Sequence, residues 1–315
     1  MPLNALVTGG AGFIGSHVTE ALLAEGWSVT VLDNLSSGKR GQVPAAAHFV
    51  EADIRSPEAA ALIRDGGFDL VCHLAAQIDV RKSVADPRFD VDVNIGGTLN
   101  LVEAVRASGR PTRFLFASTG GAVYGDLVTP PNVETFAKNP ESPYGIAKYS
   151  VELYLSYYAR VHGLDYVALR FANVYGPRQD PHGEAGVVAI FCQRILAGTP
   201  LTVFGDGAQT RDYVYVGDIA RAHVRAAALP TIPAGAVDDR AFNLGTAVDT
   251  SVTALAHGLL AVSGRTVPMQ HAPARPGEQQ RSVVSIDKAR TGLGWAPAVS
   301  LADGLRLTFD WFASR

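Results

Sequence analysis

Short apolar runs alternate with longer amphipathic ones along the first half of the chain. Ala5-Leu6-Val7-Thr8 has the character of a buried strand, and helical periodicity follows Gly9-Gly10-Ala11-Gly12-Phe13-Ile14-Gly15 to about residue 25. Ser28-Val29-Thr30-Val31-Leu32, His48-Phe49-Val50-Glu51 and Asp69-Leu70-Val71-Cys72-His73-Leu74 predict three further strands. A helical pattern over about 89–108 then leads to Arg113-Phe114-Leu115-Phe116-Ala117. Strands that are apolar on both faces and separated by helices predict an α/β fold, a doubly wound parallel sheet with right-handed crossovers. After Asp165-Tyr166-Val167-Ala168-Leu169-Arg170 the alternation loosens. A helix over 187–195 and a short strand Leu201-Thr202-Val203-Phe204 are expected there, in a smaller C-terminal lobe. The expected division is a first domain over 1–176, completed by parts of 205–250, and a lobe made mainly from 177–315.

Composition narrows this little but usefully. With 315 residues, 47% of them hydrophobic, the chain can bury a large core, which argues against disorder. A formal net charge of −3 without a basic block gives no reason to expect nucleic acid or a membrane surface as partner. The apolar runs are too short for a membrane span, and the chain opens directly in a strand-like run, so a cytoplasmic location is expected. Cys72 and Cys192 lie far apart in apolar segments and read as packed, reduced thiols, and no metal site is expected.

The glycine run supplies the first chemistry. Gly9, Gly12 and Gly15 stand between a strand and a helix, a spacing that lets backbone approach a pyrophosphate at a helix N-terminus. The second strand ends at Asp33, about twenty residues on, where a carboxylate accepts from a ribose diol. Strand, turn, helix and acid together predict dinucleotide binding, and the acid favours NAD over NADP. Asp53-Ile54, after the third strand, meets an adenine edge or, equally, caps a helix. Ala75-Ala76-Gln77 leaves room for a ligand at the mouth of the sheet.

Ser142-Pro143-Tyr144-Gly145-Ile146-Ala147-Lys148 supplies the second. On a helix Tyr144 and Lys148 share a face, and a cation near a phenol lowers its pKa toward that of a general base. The segment Ser118-Thr119-Gly120-Gly121-Ala122-Val123-Tyr124-Gly125 precedes it. A glycine triplet, a Ser/Thr cluster after a central strand and Tyr-x-x-x-Lys on the next helix resemble the extended short-chain dehydrogenase/reductase family. The resemblance covers essentially the whole chain and is nearest to the UDP-galactose 4-epimerase-like nucleotide-sugar epimerases.

That resemblance implies a Rossmann fold, NAD as cofactor, a UDP-sugar as substrate and a homodimer packed through helices near 92–108 and 144–160. It makes Tyr144 and Lys148 catalytic, with a hydroxyl beside them. The usual position of that hydroxyl is Gly120 here, so a shift must supply Thr119 or Ser118, and Thr119 is favoured. The implied cofactor contacts add Phe13, Ile14, Asn34, Leu74 and Asn94. For the substrate the resemblance implies Asn173 and Arg211 at the diphosphate, and Val203 beside the base. Arg275 with Glu278 corresponds to a second phosphate clamp, and Ser282 lines the hexose pocket, where a small residue leaves room for an N-acetyl group. Asp218 reads as a helix cap. Related dehydratases carry an Asp/Glu pair where this chain has Gly121 and Ala122, so elimination lacks its acid and base. Oxidation and re-reduction at C4 remain, through a transient 4-keto sugar. Two alternatives stay open: a UDP-glucuronate 4-epimerase using Arg81 or Lys82 for the carboxylate, and a non-catalytic NAD sensor.

Overall fold

The computed structural model describes residues 2–181, 186–274 and 279–315. Six strands follow the apolar runs: β1 (Asn4–Thr8), β2 (Ser28–Asp33), β3 (His48–Glu51), β4 (Leu70–His73), β5 (Arg113–Thr119) and β6 (Asp165–Phe171). They form a parallel sheet in the order β3-β2-β1-β4-β5-β6, extended beyond β6 by Ala241–Leu244. Chain order reverses between β1 and β4, and the crevice at the carboxyl ends of those strands is where such sheets take ligands.

Alternate residues of each strand feed two cores. Val7, Cys72, Leu115 and Leu169 face one layer, with Val18 and Leu22 of the Phe13–Ala24 helix and Ile219 of the Val216–Ala227 helix. Leu6, Val71, Phe114, Phe116 and Ala168 face the other, against Leu101 and Val105 of the Thr98–Ser108 helix and Val151 and Leu155 of the Pro143–His162 helix. Both cysteines are buried free thiols, and burial raises the pKa of each, Cys192 to about 12. The smaller core of the C-terminal lobe joins the Val187–Leu196, Val252–Ser263 and Leu301–Ala313 helices to the parallel pair Leu201–Phe204 and Met269–Ala272.

The long helical pattern predicted over 89–108 is present but is not uniform. Pro87–Val91 is α-helical, Asp92–Gly97 winds as a π-helix, and Thr98–Ser108 resumes the α-helix. A π-helical insertion rotates the residues it carries, and such insertions cluster at functional sites. Asn94, within it, and Asp90, in the α-helical turn before it, are both buried. No helix among the described residues is long and apolar enough to cross a membrane.

Two expectations about caps are overturned. Asp53 caps nothing: Ser56 accepts from Ala59 N and caps the Pro57–Asp65 helix. Asp53 instead accepts from Arg55 and Asn34, and the Arg55 guanidinium holds its carboxyl well below the usual range. Asp218 lies inside the first turn of its helix, not at the cap. Its carboxylate accepts from Ala298 N and Val299 N and pairs with Arg221, tying the helix to the chain before the last helix.

Candidate active site

The glycine turn is built as a cradle. Gly9 has φ +70, and a Cβ on it would stand 2.7 Å from Ala75 N, so only glycine lets the turn and the end of β4 close together. Over Gly12 the sole near neighbour of such a Cβ is Gly9 O at 3.1 Å, which leaves the ligand side open. Gly12 is also the N-cap of the Phe13–Ala24 helix and no side chain caps it, so its first N–H groups are free for an anion. Asp33 accepts from Ala11 N through one oxygen and from Leu35 N through the other, while burial raises its pKa. Each oxygen keeps a lone pair for a ribose hydroxyl. These residues fit a dinucleotide.

The other cofactor residues divide. Leu74, Ala75 and Ala76 are half-buried at the sheet mouth, with Leu74 N bonded to Thr8 O and Ala75 N to Thr8 Oγ1. Ile54 is 5% exposed, and its side chain packs where a Cβ on Gly97 would otherwise stand. Asn94 is a bracket: its Oδ1 accepts from Gln77 N and its Nδ2 donates to Gln77 O. His73, which the sequence did not single out, is its counterpart below. Thr98 Oγ1 donates to Asn94 O, so it accepts from His73 Nε2–H, and His73 Nδ1 accepts from Thr8. Burial, helped by Lys148, lowers the His73 pKa to about 3 and keeps it neutral.

Ser142 caps the Pro143–His162 helix through Gly145 N, with Pro143 in the first turn. Tyr144 N is further bonded to Ser83 Oγ. Gly145 packs so closely on the 120–122 loop that a Cβ would stand 2.7 Å from Ala122 O. This packs the start of the helix, Tyr144 included, against the segment that follows β5. One turn on, Lys148 is buried, with Nζ 5.8 Å from the Tyr144 ring centroid and 4.8 Å from that of Phe116. Nζ donates to Ala117 O at 2.8 Å. Burial lowers its pKa to about 8, against the opposing pull of Asp90 and Glu152.

The expectation that Lys148 depresses the Tyr144 pKa is not met. Burial raises the phenol, and the Asp90 carboxylate raises it further. Desolvation outweighs a cation whose ammonium is spent on a backbone carbonyl.

Of the two candidate hydroxyls, Ser118 is already committed. It donates to Glu152, which also holds the buried Arg170 guanidinium. Thr119 makes no hydrogen bond among the described residues and stands beside Gly121, its Oγ1 3.8 Å from where a Cβ would be. Ser282 Oγ lies at 3.8 Å from the same point. Gly120 cannot carry a hydroxyl itself, because a Cβ there would stand 2.8 Å from Val284 Cγ1 and 3.3 Å from Arg170 O.

On the lobe side, Ser282 and Arg211 are opposite each other in a parallel ladder, and Thr250 flanks Arg211 from the other edge. Asn173 pairs with Tyr213 in the neighbouring ladder, and its N–H donates to Asp212 O. Asp212, buried and unremarked in the sequence, accepts from Thr246, Ala247 and Val284, so it fixes the backbone beneath all three. Val203 is corrected: at 1% exposure its side chain fills the lobe core, and its neighbours Thr202 and Phe204 face the other way. Arg275 and Glu278 lie outside the described residues. Arg81 pairs with Asp79 and is largely exposed, and Lys82 lies 4.5 Å over the Phe89 ring.

Residues 5–245 match the model of the NAD dependent epimerase/dehydratase family. The chain is 43% identical to UDP-glucose 4-epimerase of Mycolicibacterium smegmatis, with 99% of each chain covered. It superimposes on the UDP-glucose 4-epimerase of Thermotoga maritima, solved with UDP-glucose, at TM-score 0.93 and 46% identity over 99% of both chains. It also matches the UDP-N-acetylglucosamine 4-epimerase of Methanobrevibacter ruminantium, at TM-score 0.92 and 33% identity over 99% of both chains. The glycine cradle, the Tyr144–Lys148 helix and the full-length matches agree, and the chain belongs to the NAD dependent epimerase/dehydratase family.

Proposed function

We propose that the protein interconverts the C4 epimers of a UDP-hexose, UDP-glucose with UDP-galactose or their N-acetylated counterparts, and keeps its NAD through the cycle. The observation that carries this reading is the Tyr144–Lys148 pair on one helix face, with Lys148 Nζ 5.8 Å from the Tyr144 ring and bonded to Ala117 O of β5, the strand that ends in the uncommitted Thr119 hydroxyl. The relatives' substrates support the same reading.

NAD, when bound, supplies the acceptor for the C4 hydride and returns it. Tyr144 takes the proton of the C4 hydroxyl and later gives it back, and Thr119 orients the sugar oxygen. Lys148, anchored on Ala117 O, puts a positive charge beneath the phenol. For the configuration to invert, the 4-keto sugar must turn over while the nucleotide stays fixed. Arg211, Asn173 and, by resemblance, Arg275 hold the diphosphate for that purpose. Ser282, small and buried beside Gly121, leaves space for an N-acetyl group. The uronate reading has less support, because Arg81 already has a carboxylate partner.

A homodimer accompanies this reading. Ile146, Leu153, Tyr157 and Val161 leave an apolar stripe about half exposed along the Pro143–His162 helix, with Val84 and Val91 nearby. Sedimentation equilibrium tests it: the wild type should be dimeric and the Leu153→Lys, Tyr157→Lys variant monomeric. The activity test is incubation of the purified protein with UDP-glucose, UDP-N-acetylglucosamine and UDP-glucuronate, each without added NAD. Conversion of the first two to their 4-epimers is expected. Failure of all three, even with NAD added, would overturn the proposal.

A further inference from the structure

Lys148 presents a charge-balance problem. It is 4% exposed, and among the described residues its ammonium has one hydrogen-bond partner, the neutral carbonyl Ala117 O. A buried ammonium without a counter-charge is costly. Glu152, one turn along the same helix, does not meet the need. Its oxygens are taken by Ser118 and by Arg170, whose Nη2 approaches to 2.5 Å, so that pair is already neutral.

The remaining carboxylate is Asp90. It is 0% exposed, on the Pro87–Val91 helix that leads into the π-helical turn. Oδ1 accepts from Gln77 Nε2 and from Asn94 Nδ2, both at 3.0 Å. Oδ2 is buried with no hydrogen-bond partner among the described residues. Unpaired buried carboxylate oxygens are rare, and each calls for a physical reason. Among nearby charged groups, Asp92 pairs with Arg55, Arg81 with Asp79, Lys82 lies over the Phe89 ring, Asp86 accepts from Phe89 N, Arg88 is exposed, and His73 is neutral between two threonines. The Pro87–Val91 helix packs directly against the Pro143–His162 helix that carries Tyr144 and Lys148, so the buried Asp90 charge acts on both.

We infer that Asp90 is the counter-ion of the Tyr144–Lys148 pair, a positioning residue that balances the buried ammonium. Through Gln77 and Asn94 the same carboxylate holds the turn at the sheet mouth. The inference rests on the proposed roles of Tyr144 and Lys148. A negative charge at Asp90 favours protonated Lys148 and opposes ionised Tyr144, so removing it lowers both pKa values. Asp90→Asn keeps an oxygen that can accept from Gln77 and Asn94 while deleting the charge.

The test is the pH profile of kcat/KM for the holoenzyme. Asp90→Asn should move both limbs toward acid by about one pH unit, and Asp90→Glu, which keeps the charge, should stay within roughly 0.3 unit of wild type. A lowered but unshifted Asp90→Asn profile would overturn the inference, since loss of a purely structural contact lowers rate without moving both limbs. Infrared spectroscopy gives a second readout that needs neither turnover nor the Asp90 variant. In Lys148→Met protein labelled with isotopic aspartate, a protonated aspartyl carboxyl band absent from wild type should appear at neutral pH. Its absence would overturn the inference even if the protein epimerised none of the sugars tried.

Discussion

Ser118 and Glu152 are joined by a 2.5 Å hydrogen bond across the end of β5 and the Pro143–His162 helix. The neighbouring Thr119 is the hydroxyl that the proposed function assigns to the substrate. The two serve different purposes, and substitution separates them. Thr119→Val should lower kcat roughly a hundredfold, the usual effect of deleting one donor aimed at a reacting oxygen, with little change in melting temperature. Ser118→Ala should keep most of kcat and lose stability instead, because Glu152 then has an unmet acceptor in the core. Steady-state kinetics and thermal melts on the two variants check the assignment, and the reverse pattern would exchange the roles.

Tyr144→Phe removes the proposed proton acceptor and leaves the ring packing intact. A loss in kcat of roughly a hundredfold to ten-thousandfold is expected, with NAD content unchanged in the purified protein. In the wild type the pH profile of kcat should show an inflection near pH 8, because burial lowers the Lys148 pKa to about 8 and a neutral lysine leaves Tyr144 without its cation. A profile with no inflection between pH 7 and pH 9, or one that Lys148→Met leaves in place, would rule out Lys148 as the group that titrates.

Much of the fold was legible because parallel strands buried on both faces read as unbroken apolar runs, and glycines mark where backbone meets ligand. The Tyr144 helix announced itself through Ser142, Pro143 and the four-residue spacing to Lys148. What escaped the sequence was polar and long-range. The bracket of Asn94 around Gln77 depends on a π-helical turn that no periodicity signals, and His73 works through Thr8 and Thr98, which lie far away in the chain. Val203 reads as a possible ligand contact until alternation in its strand is set against the lobe core, which takes its side chain. Whether Thr119 or Ser118 is the free hydroxyl turned on Glu152, a residue whose importance appears only when β6 brings Arg170 beside it.

Acid should weaken the fold before it protonates the site. His73 and His223 are both buried and neutral, with pKa values lowered by burial to about 3 and about 4. His223 donates Nδ1–H to Ile219 O and leaves Nε2 unpaired. In the unfolded chain both take protons near pH 6.5, which the folded chain refuses until about 4 or below. The unfolded state therefore binds more protons across that window, and stability falls as pH drops through it by up to about 1.4 kcal/mol per unit for each histidine. Urea melts at pH 7 and pH 5 measure the slope. His223→Gln should lose less on acidification than wild type, and an equal loss would exclude His223 as a contributor.

The Arg170 network is the last place where a charge decides the outcome. Arg170 is 0% exposed, bonded to Glu152, Asp238, Tyr124 and the Glu134 carbonyl, so it joins β6 to the catalytic helix and to the loop after Gly121. Glu152→Gln keeps the shape but removes half of a fully buried ion pair. Asp238 remains as a partner, yet it is partly exposed and shared with Lys138. Breaking one side of such a pair costs about 3–5 kcal/mol, since the guanidinium stays buried and under-compensated. Replacing both partners, Glu152→Gln with Arg170→Met, removes the stranded charge and should recover part of that loss. Denaturation midpoints for the two variants test this directly. A double variant no more stable than Glu152→Gln alone would mean that the remaining bonds of Arg170, rather than its charge, hold this part of the fold.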